Sequence, residues 1–250
     1  MKKIKVGIVN YLNTAPLVYG LRNSKIIDEI ELIPDYPANL AKDLLDGSID
    51  VGLVPVAVIT QLPEWWLIGN HCIGCDGPVA SVCIFSDVPI GQTKTILLDY
   101  QSRTSVELAK LLINKYWKLN VTIESASHDF MQRIQGNTAG LVIGDRSFDQ
   151  RNQSKFAYDL GEAWKDFTGL PFVFAAWISN KPLNADFITR FNEANAFGVQ
   201  HIPDVIKSLK FNGPVDLEEY FKKYINYDLD DKKREALKMF LHFLNKEISV

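Results

Sequence analysis

Cysteine is scarce in this chain and confined to one place: Cys72, Cys75 and Cys83 are the only thiols in 250 residues. Cys72-Ile-Gly-Cys75 has the CxxC spacing, with His71 beside it. A structural zinc site takes four ligands, usually from two such clusters, and no second cluster exists. A redox CxxC opens a helix, whereas this one lies in an apolar run broken by glycines, so free, partly buried thiols and no metal are expected. Positive charge is not in excess either. The 27 Lys and Arg face 30 Asp and Glu, a formal charge of -3, and no basic run offers nucleic acid a local footprint. No apolar stretch approaches the ~20 residues of a membrane-spanning helix. The start, MKKIKVGIVNYLN, places lysines before apolar residues as a secretion signal does. Its apolar part alternates, stops at Asn10 and has no small-residue cleavage site, so a cytoplasmic enzyme or binding protein is expected. G-x-S-x-G, P-loop and G-x-G-x-x-G patterns are absent, and the four histidines (His71, His128, His201, His242) are scattered. A hydrolase built on a general-base histidine is thereby disfavoured.

What is present is an α/β pattern with enough apolar residues, 47% of the chain, to fold without staples. Lys3 to Val9 reads as a strand, and Pro16 leads a helix through Leu17 to Leu21. A strand at Glu31 to Pro34 precedes a helix from Ala38 to Asp46, with Leu40, Leu44 and Leu45 inward and Gly47 as its stop. A third strand, Asp50 to Val54, ends at Pro55. This alternation predicts parallel pairing with right-handed crossovers. A long apolar strand, "GPVASVCIFS" (77–86), then leads to a second α/β unit: a strand from Lys94, a helix "TSVELAKLLINKYW" (104–117), and strands at 121–125 and 139–143. In the helix, Val106, Ala109, Leu112, Ile113 and Tyr116 share one face. Another apolar strand, 171–179, mirrors the first, and the remainder reads as helical, with Leu237, Phe240, Leu241 and Leu244 forming a core stripe.

Two α/β units joined by two strands describe a bilobed molecule with a double hinge and a cleft between the lobes. One lobe comprises residues 1–88 and 176–250, the other residues 89–175. Ligands of open α/β sheets bind beyond the carboxyl ends of strands, and a two-lobed arrangement gathers those ends into the cleft. Five segments reach it: "NYLNT" (10–14), "VPVA" (54–57), "GPVAS" (77–81), "YQSRTS" (100–105) and "GDRS" (144–147). Singly, each suits ordinary turn chemistry; five polar or glycine-bearing loops after apolar strands point to a site. Thr104 with Glu107 forms a capping box, which leaves the Ser105 and Val106 amides for a carboxylate or phosphate. Ser102, Thr104 and Ser105 add hydroxyls, and Arg103 adds a forked charge if it faces the cleft. Thr14 is a nearer cap than Asn13 for the first helix, which frees Asn13. Asp145 either caps a turn or holds the neighbouring loop. Ser81, inside an apolar strand, needs a partner, most simply a backbone carbonyl.

The segments "VNYLNTAPLVYGL", "GCDGPVASV", "SRTSVELAKLLIN", "LVIGD" and "YDLGEAWKDFTGLPFVFAAW" resemble the chorismate dehydratases of the futalosine route to menaquinone. The resemblance runs from about residue 4 to 178. It implies the type 2 periplasmic-binding-protein fold, a hydro-lyase acting on the dianion chorismate, and no cofactor. It implies catalytic positions at Asn13 and Ser81 and a carboxylate-binding loop at Ser102 to Ser105. Tyr11, Val56, Arg103, Thr104, Val106 and Asp145 complete the expected substrate contacts. The residues alone leave two other readings open, a cytoplasmic binder or sensor of small carboxylates and a dehydratase of another small dicarboxylate. They do not speak to oligomeric state.

Overall fold

The computed structural model describes residues 3–99, 102–126 and 129–244. In chain order the first part runs β1 (Ile4–Val9), α1 (Ala15–Arg22), β2 (Ile30–Asp35), α2 (Pro37–Asp46), β3 (Val51–Pro55) and β4 (Trp66–Cys75). The second part holds β5 (Val82–Ser86), β6 (Thr95–Leu98), α3 (Arg103–Leu111), β7 (Thr122–Ser125), β8 (Thr138–Ile143), α4 (Arg146–Arg151), β9 (Phe156–Asp159) and α5 (Leu160–Thr168). The chain closes with β10 (Phe172–Ser179), α6 (Ala185–Gln200), α7 (Ile202–Ser208), α8 (Leu217–Glu219), β11 (Asn226–Asp228) and α9 (Asp231–Phe243).

The strands form two sheets, β11-β4-β10-β3-β1-β2 and β7-β6-β8-β5-β9. The alternating start of the chain does pair in parallel, β1 with both β2 and β3. Strands β10 and β4 then join the same sheet antiparallel. In the second sheet β6 lies parallel to β7 and β8, while β5 is antiparallel to β8 and β9. Of the expected apolar stripes, Leu40 and Leu44 of α2, Ala109 of α3 with Leu112 and Ile113 just after it, and Leu237, Phe240 and Leu241 of α9 are buried, while Leu45, Val106, Tyr116 and Leu244 are half-buried. Gly47 ends α2 in the left-handed conformation (φ 79°) that glycine adopts without a Cβ penalty.

Three expectations change. The apolar run 77–86 is not one strand: β4 ends at Cys75, β5 begins at Val82, and between them an irregular crossing carries Ala80 at φ 64°. β5 pairs within the second sheet and all of β10 within the first, so the sheets part at 76–81 and 169–171 rather than at 88/89 and 175/176. The C-terminal part is not wholly helical, since β11 adds an edge strand to β4. The crossing is held by a carboxylate. Asp159 accepts N–H bonds from Val79 (3.1 Å) and Ala80 (2.7 Å) on one side and from Gly161 (2.9 Å) and Glu162 (3.2 Å) at the start of α5 on the other.

Cys72 and Cys75 lie buried on β4 and Cys83 on β5, all as free thiols. Burial pushes the Cys72 thiol up to about 12. Among the described residues no helix is long and apolar enough to cross a membrane.

Candidate active site

Between the sheets lies a cavity. Its walls come from both lobes. Val9, Tyr11, Asn13 and Thr14 enter from the end of β1, Leu53 and Pro55 from β3, and Phe174 and Ala175 from β10. Ser102 and Ser105 face them from the start of α3, with Ile143 and Gly144 from the end of β8 and Val79 and Val82 flanking the crossing. Carboxyl ends of β1, β3 and β8 thus converge on one space, as an open α/β architecture dictates. Among the described residues, Tyr11, Asn13, Thr14, Ser102 and Ser105 supply its polar side chains, and none of the lining side chains is charged.

Asn13 is free of capping duty, although not because Thr14 caps α1. The Thr14 hydroxyl turns back to donate to the carbonyls of Val9 (2.7 Å) and Tyr11 (2.8 Å), which pins the turn after β1. Thr14 sits at the N-cap of α1 without a side-chain cap bond. The Asn13 carbonyl accepts from the Tyr227 hydroxyl at 3.0 Å, so β11 holds its backbone in place. The Tyr11 ring packs on Gly144, whose positive φ (66°) and missing Cβ let it approach.

The capping box does not form. Ser102, not Thr104, is the N-cap of α3: its hydroxyl accepts from the Ser105 amide at 3.3 Å and its carbonyl from the Val106 amide at 3.2 Å. Both amides expected to be open are therefore used. Glu107 pairs with Lys110 on the surface instead. Thr104 falls in the first turn, fully buried, and its hydroxyl accepts from the Ala57 amide (3.0 Å), a bond between the lobes. The helix end still faces the cavity through Ser102 and Ser105, whose hydroxyls lie 3.0 Å apart.

Four expected contacts stand elsewhere. Arg103 points out of the cavity to Gln61 (2.6 Å), because the side chain after an N-cap projects from the opposite flank of the helix start. Val106 lines that same outer groove. Val56 is fully buried in the turn after β3. Asp145 accepts from the Leu12 amide at 3.3 Å, holding the neighbouring loop one layer behind the cavity, and burial pushes its carboxyl above the usual range. Of the fourth loop, Tyr100 and Gln101 lie outside the described residues, as does His128.

Ser81 is buried just behind the wall that Val79 and Val82 expose. Its hydroxyl donates to the Val79 carbonyl at 3.5 Å, a backbone partner of the kind expected, and accepts from the Tyr220 hydroxyl at 2.8 Å. Tyr220 is itself fully buried and follows α8 in a π-helical turn (Tyr220–Tyr224). Burial pushes its phenol well above the ordinary value, so it serves as a neutral hydroxyl. Neither Tyr220 nor Tyr227 is marked by a motif. The only hint is an aromatic-dense run, "YFKKYINYD" (220–228), since a buried tyrosine seeks a partner for its hydroxyl.

A protein-family model described as menaquinone biosynthesis matches residues 4–246. A chorismate dehydratase of Thermus thermophilus is 25% identical, aligned over 98% of this chain and 96% of its own. One of Campylobacter jejuni is 21% identical over 94% and 95%. Among solved structures, a protein of Archaeoglobus fulgidus superposes with a TM-score of 0.76 at 16% identity, covering 97% of each chain. A Candida albicans gene product with the generic periplasmic binding protein fold gives 0.63 at 14%, covering all of this chain and 92% of its own. The chain belongs to the menaquinone biosynthesis family and carries a periplasmic-binding-protein-like fold.

Proposed function

We propose that this protein is a chorismate dehydratase that releases water from chorismate to leave 3-[(1-carboxyvinyl)oxy]benzoate, the first step of the futalosine route. The observation that carries the reading is the composition of the cavity. Asn13 and the start of α3 face one space whose polar groups are hydroxyls, an amide and a phenol, with no carboxylate, histidine or basic side chain among the described residues of its walls. Such a space suits a guest that brings its own charges. A carboxylate finds hydroxyl donors at Ser102 and Ser105 and the positive end of α3.

The chemistry needs one C–H and one C–O bond broken. Loss of the C3 proton and the C4 hydroxyl makes the ring aromatic, which drives the reaction downhill. With no base among the described lining residues, the enolpyruvyl carboxylate of the substrate accepts the C3 proton and returns it to the departing hydroxyl as water forms. Asn13 hydrogen-bonds that hydroxyl. Alignment of groups already within one molecule supplies up to ~7–11 kcal/mol of barrier lowering in favourable cases. The chain's own residues hold a conformation and supply no cofactor chemistry.

Incubation of the purified protein with chorismate, followed by ultraviolet absorbance and mass spectrometry, tests the reading. A product lighter by one water supports it. Binding without turnover identifies a small-carboxylate binding protein instead and refutes the enzyme.

A further inference from the structure

Within the dehydratase reading, the placement of Asn13 has a cause outside its own turn. The turn after β1 closes on itself: the Thr14 amide donates to the Tyr11 carbonyl at 3.1 Å, and the Thr14 hydroxyl donates to the carbonyls of Val9 and Tyr11. Such bonds make the turn one unit but leave open where that unit points. Two bonds from distant parts of the chain set its direction.

The Tyr227 hydroxyl, on β11 of the first sheet, donates to the Asn13 carbonyl at 3.0 Å from 214 positions away. Asp145, just after β8 of the second sheet, accepts from the Leu12 amide at 3.3 Å from 133 positions away. Each bond fixes one planar peptide unit. The Asn13 carbonyl and the Thr14 amide share a plane, which Tyr227 holds at one end and the Tyr11 carbonyl at the other. The Tyr11 carbonyl and the Leu12 amide share another, held by Thr14 and by Asp145. Asn13 thus lies between two fixed planes and lines the cavity, whereas Tyr227 and Asp145 stand behind it.

Both anchors are themselves held. Tyr227 is buried, its neighbours Asn226 and Asp228 pair with β4, and the Leu229 amide donates to the Asn70 carbonyl at 2.9 Å. Beside Asp145, the Gly144 amide donates to the Ser81 carbonyl (2.8 Å), and the Gly144 carbonyl accepts from the Ser147 amide (3.0 Å) and hydroxyl (2.7 Å). We propose that Tyr227 and Asp145 are positioning residues for the reaction, clamping the turn from opposite lobes so that Asn13 is presented to the substrate in one orientation. The assignment rests on the dehydratase reading, and the test separates the two.

Wild type, Tyr227→Phe, Asp145→Ala and Asp145→Asn are compared for water loss from chorismate, each alone and combined with Asn13→Ala. Tyr227→Phe keeps the ring and deletes only the oxygen. Tyr227→Phe and Asp145→Ala should each lower kcat by about tenfold to a hundredfold, the cost of ångström-scale misplacement, and leave KM nearly unchanged. Asp145→Asn keeps an acceptor for the Leu12 amide and should retain near wild-type kcat. In the Asn13→Ala background, Tyr227→Phe and Asp145→Ala should each add less than about twofold, because residues acting through one group are not additive. A packing defect alone would lower activity equally in both backgrounds, and that result overturns the proposal. Wild-type kcat in Tyr227→Phe or Asp145→Ala also overturns it, as does Asp145→Asn as impaired as Asp145→Ala. Should one variant not fold, the other carries the same comparison. No turnover by wild type refutes the dehydratase reading itself, and the positioning role with it.

Discussion

Asn13 stands at the cavity, and Tyr227 holds its backbone carbonyl there. If its amide stabilises the departing hydroxyl, Asn13→Ala lowers kcat by about a hundredfold, as deletion of one preorganised donor does elsewhere, with KM within a few-fold. Steady-state kinetics on chorismate checks this, and near-normal kcat would remove Asn13 from the chemistry. Thr104 has a different task. Its buried hydroxyl satisfies the Ala57 amide across the two lobes, and Thr104→Val strands that amide. The expected loss is about 1–3 kcal/mol of stability, read from urea unfolding. Asn13 was legible in the sequence because two polar amides at the end of an apolar strand ask for a reason. Tyr220 and Tyr227 were not, since their partners lie 139 and 214 residues away and no local pattern records such distances.

At the scale of elements, the site depends on helices that approach closely. Gly20 of α1 and Gly198 of α6 bring two backbones together: a Cβ on Gly20 would lie 1.9 Å from the Ala194 carbonyl oxygen, and one on Gly198 1.9 Å from that of Pro16. Backbone cannot give way as a flexible side chain can. Gly20→Ala should therefore cost about 1–3 kcal/mol or more through overpacking and lower the melting temperature. Gly91→Ala, where a Cβ meets open space, should leave it unchanged and serves as the control. The first three strands and α2 were readable from alternation and helical spacing. β4 was not, because Gly69 (φ 73°) and a shifted register against β10 break its period. The start of α3 was misplaced by two residues because Thr104 and Glu107 carry the capping-box letters, while Ser102, two positions earlier, takes the role.

The whole molecule joins its lobes by two short crossings and by hydrogen bonds from Leu12 to Asp145, from Ala57 to Thr104 and from Tyr220 to Ser81. The bilobed design was legible from two α/β units and a returning chain; the crossings were not, since "GPVAS" is apolar enough to pass for strand. Global stability should also respond to pH through His71. Buried on β4, it pairs through Nδ1 with Asn192 of α6 (2.9 Å), and desolvation holds its folded pKa below the ordinary 6.5, outweighing the Asn192 bond. The unfolded chain then takes up the proton first, so the stability present above pH 6.5 is lost as pH falls through 6.5 toward the folded value. Melting temperatures between pH 7.5 and 5, in about half-unit steps, should drop more steeply for wild type than for His71→Gln. Parallel curves would show that His71 contributes nothing to acid sensitivity.

A crystal structure of the protein with the benzoate product bears most directly on the claim that the two lobes enclose a reaction chamber. The ring should lie between Asn13 and the start of α3, with one carboxylate on the Ser102 and Ser105 hydroxyls and no protein carboxylate or imidazole against the ring carbons. Product seated in the outer groove beside Arg103, or a carboxylate side chain turned in to touch the reacting carbon, would contradict it.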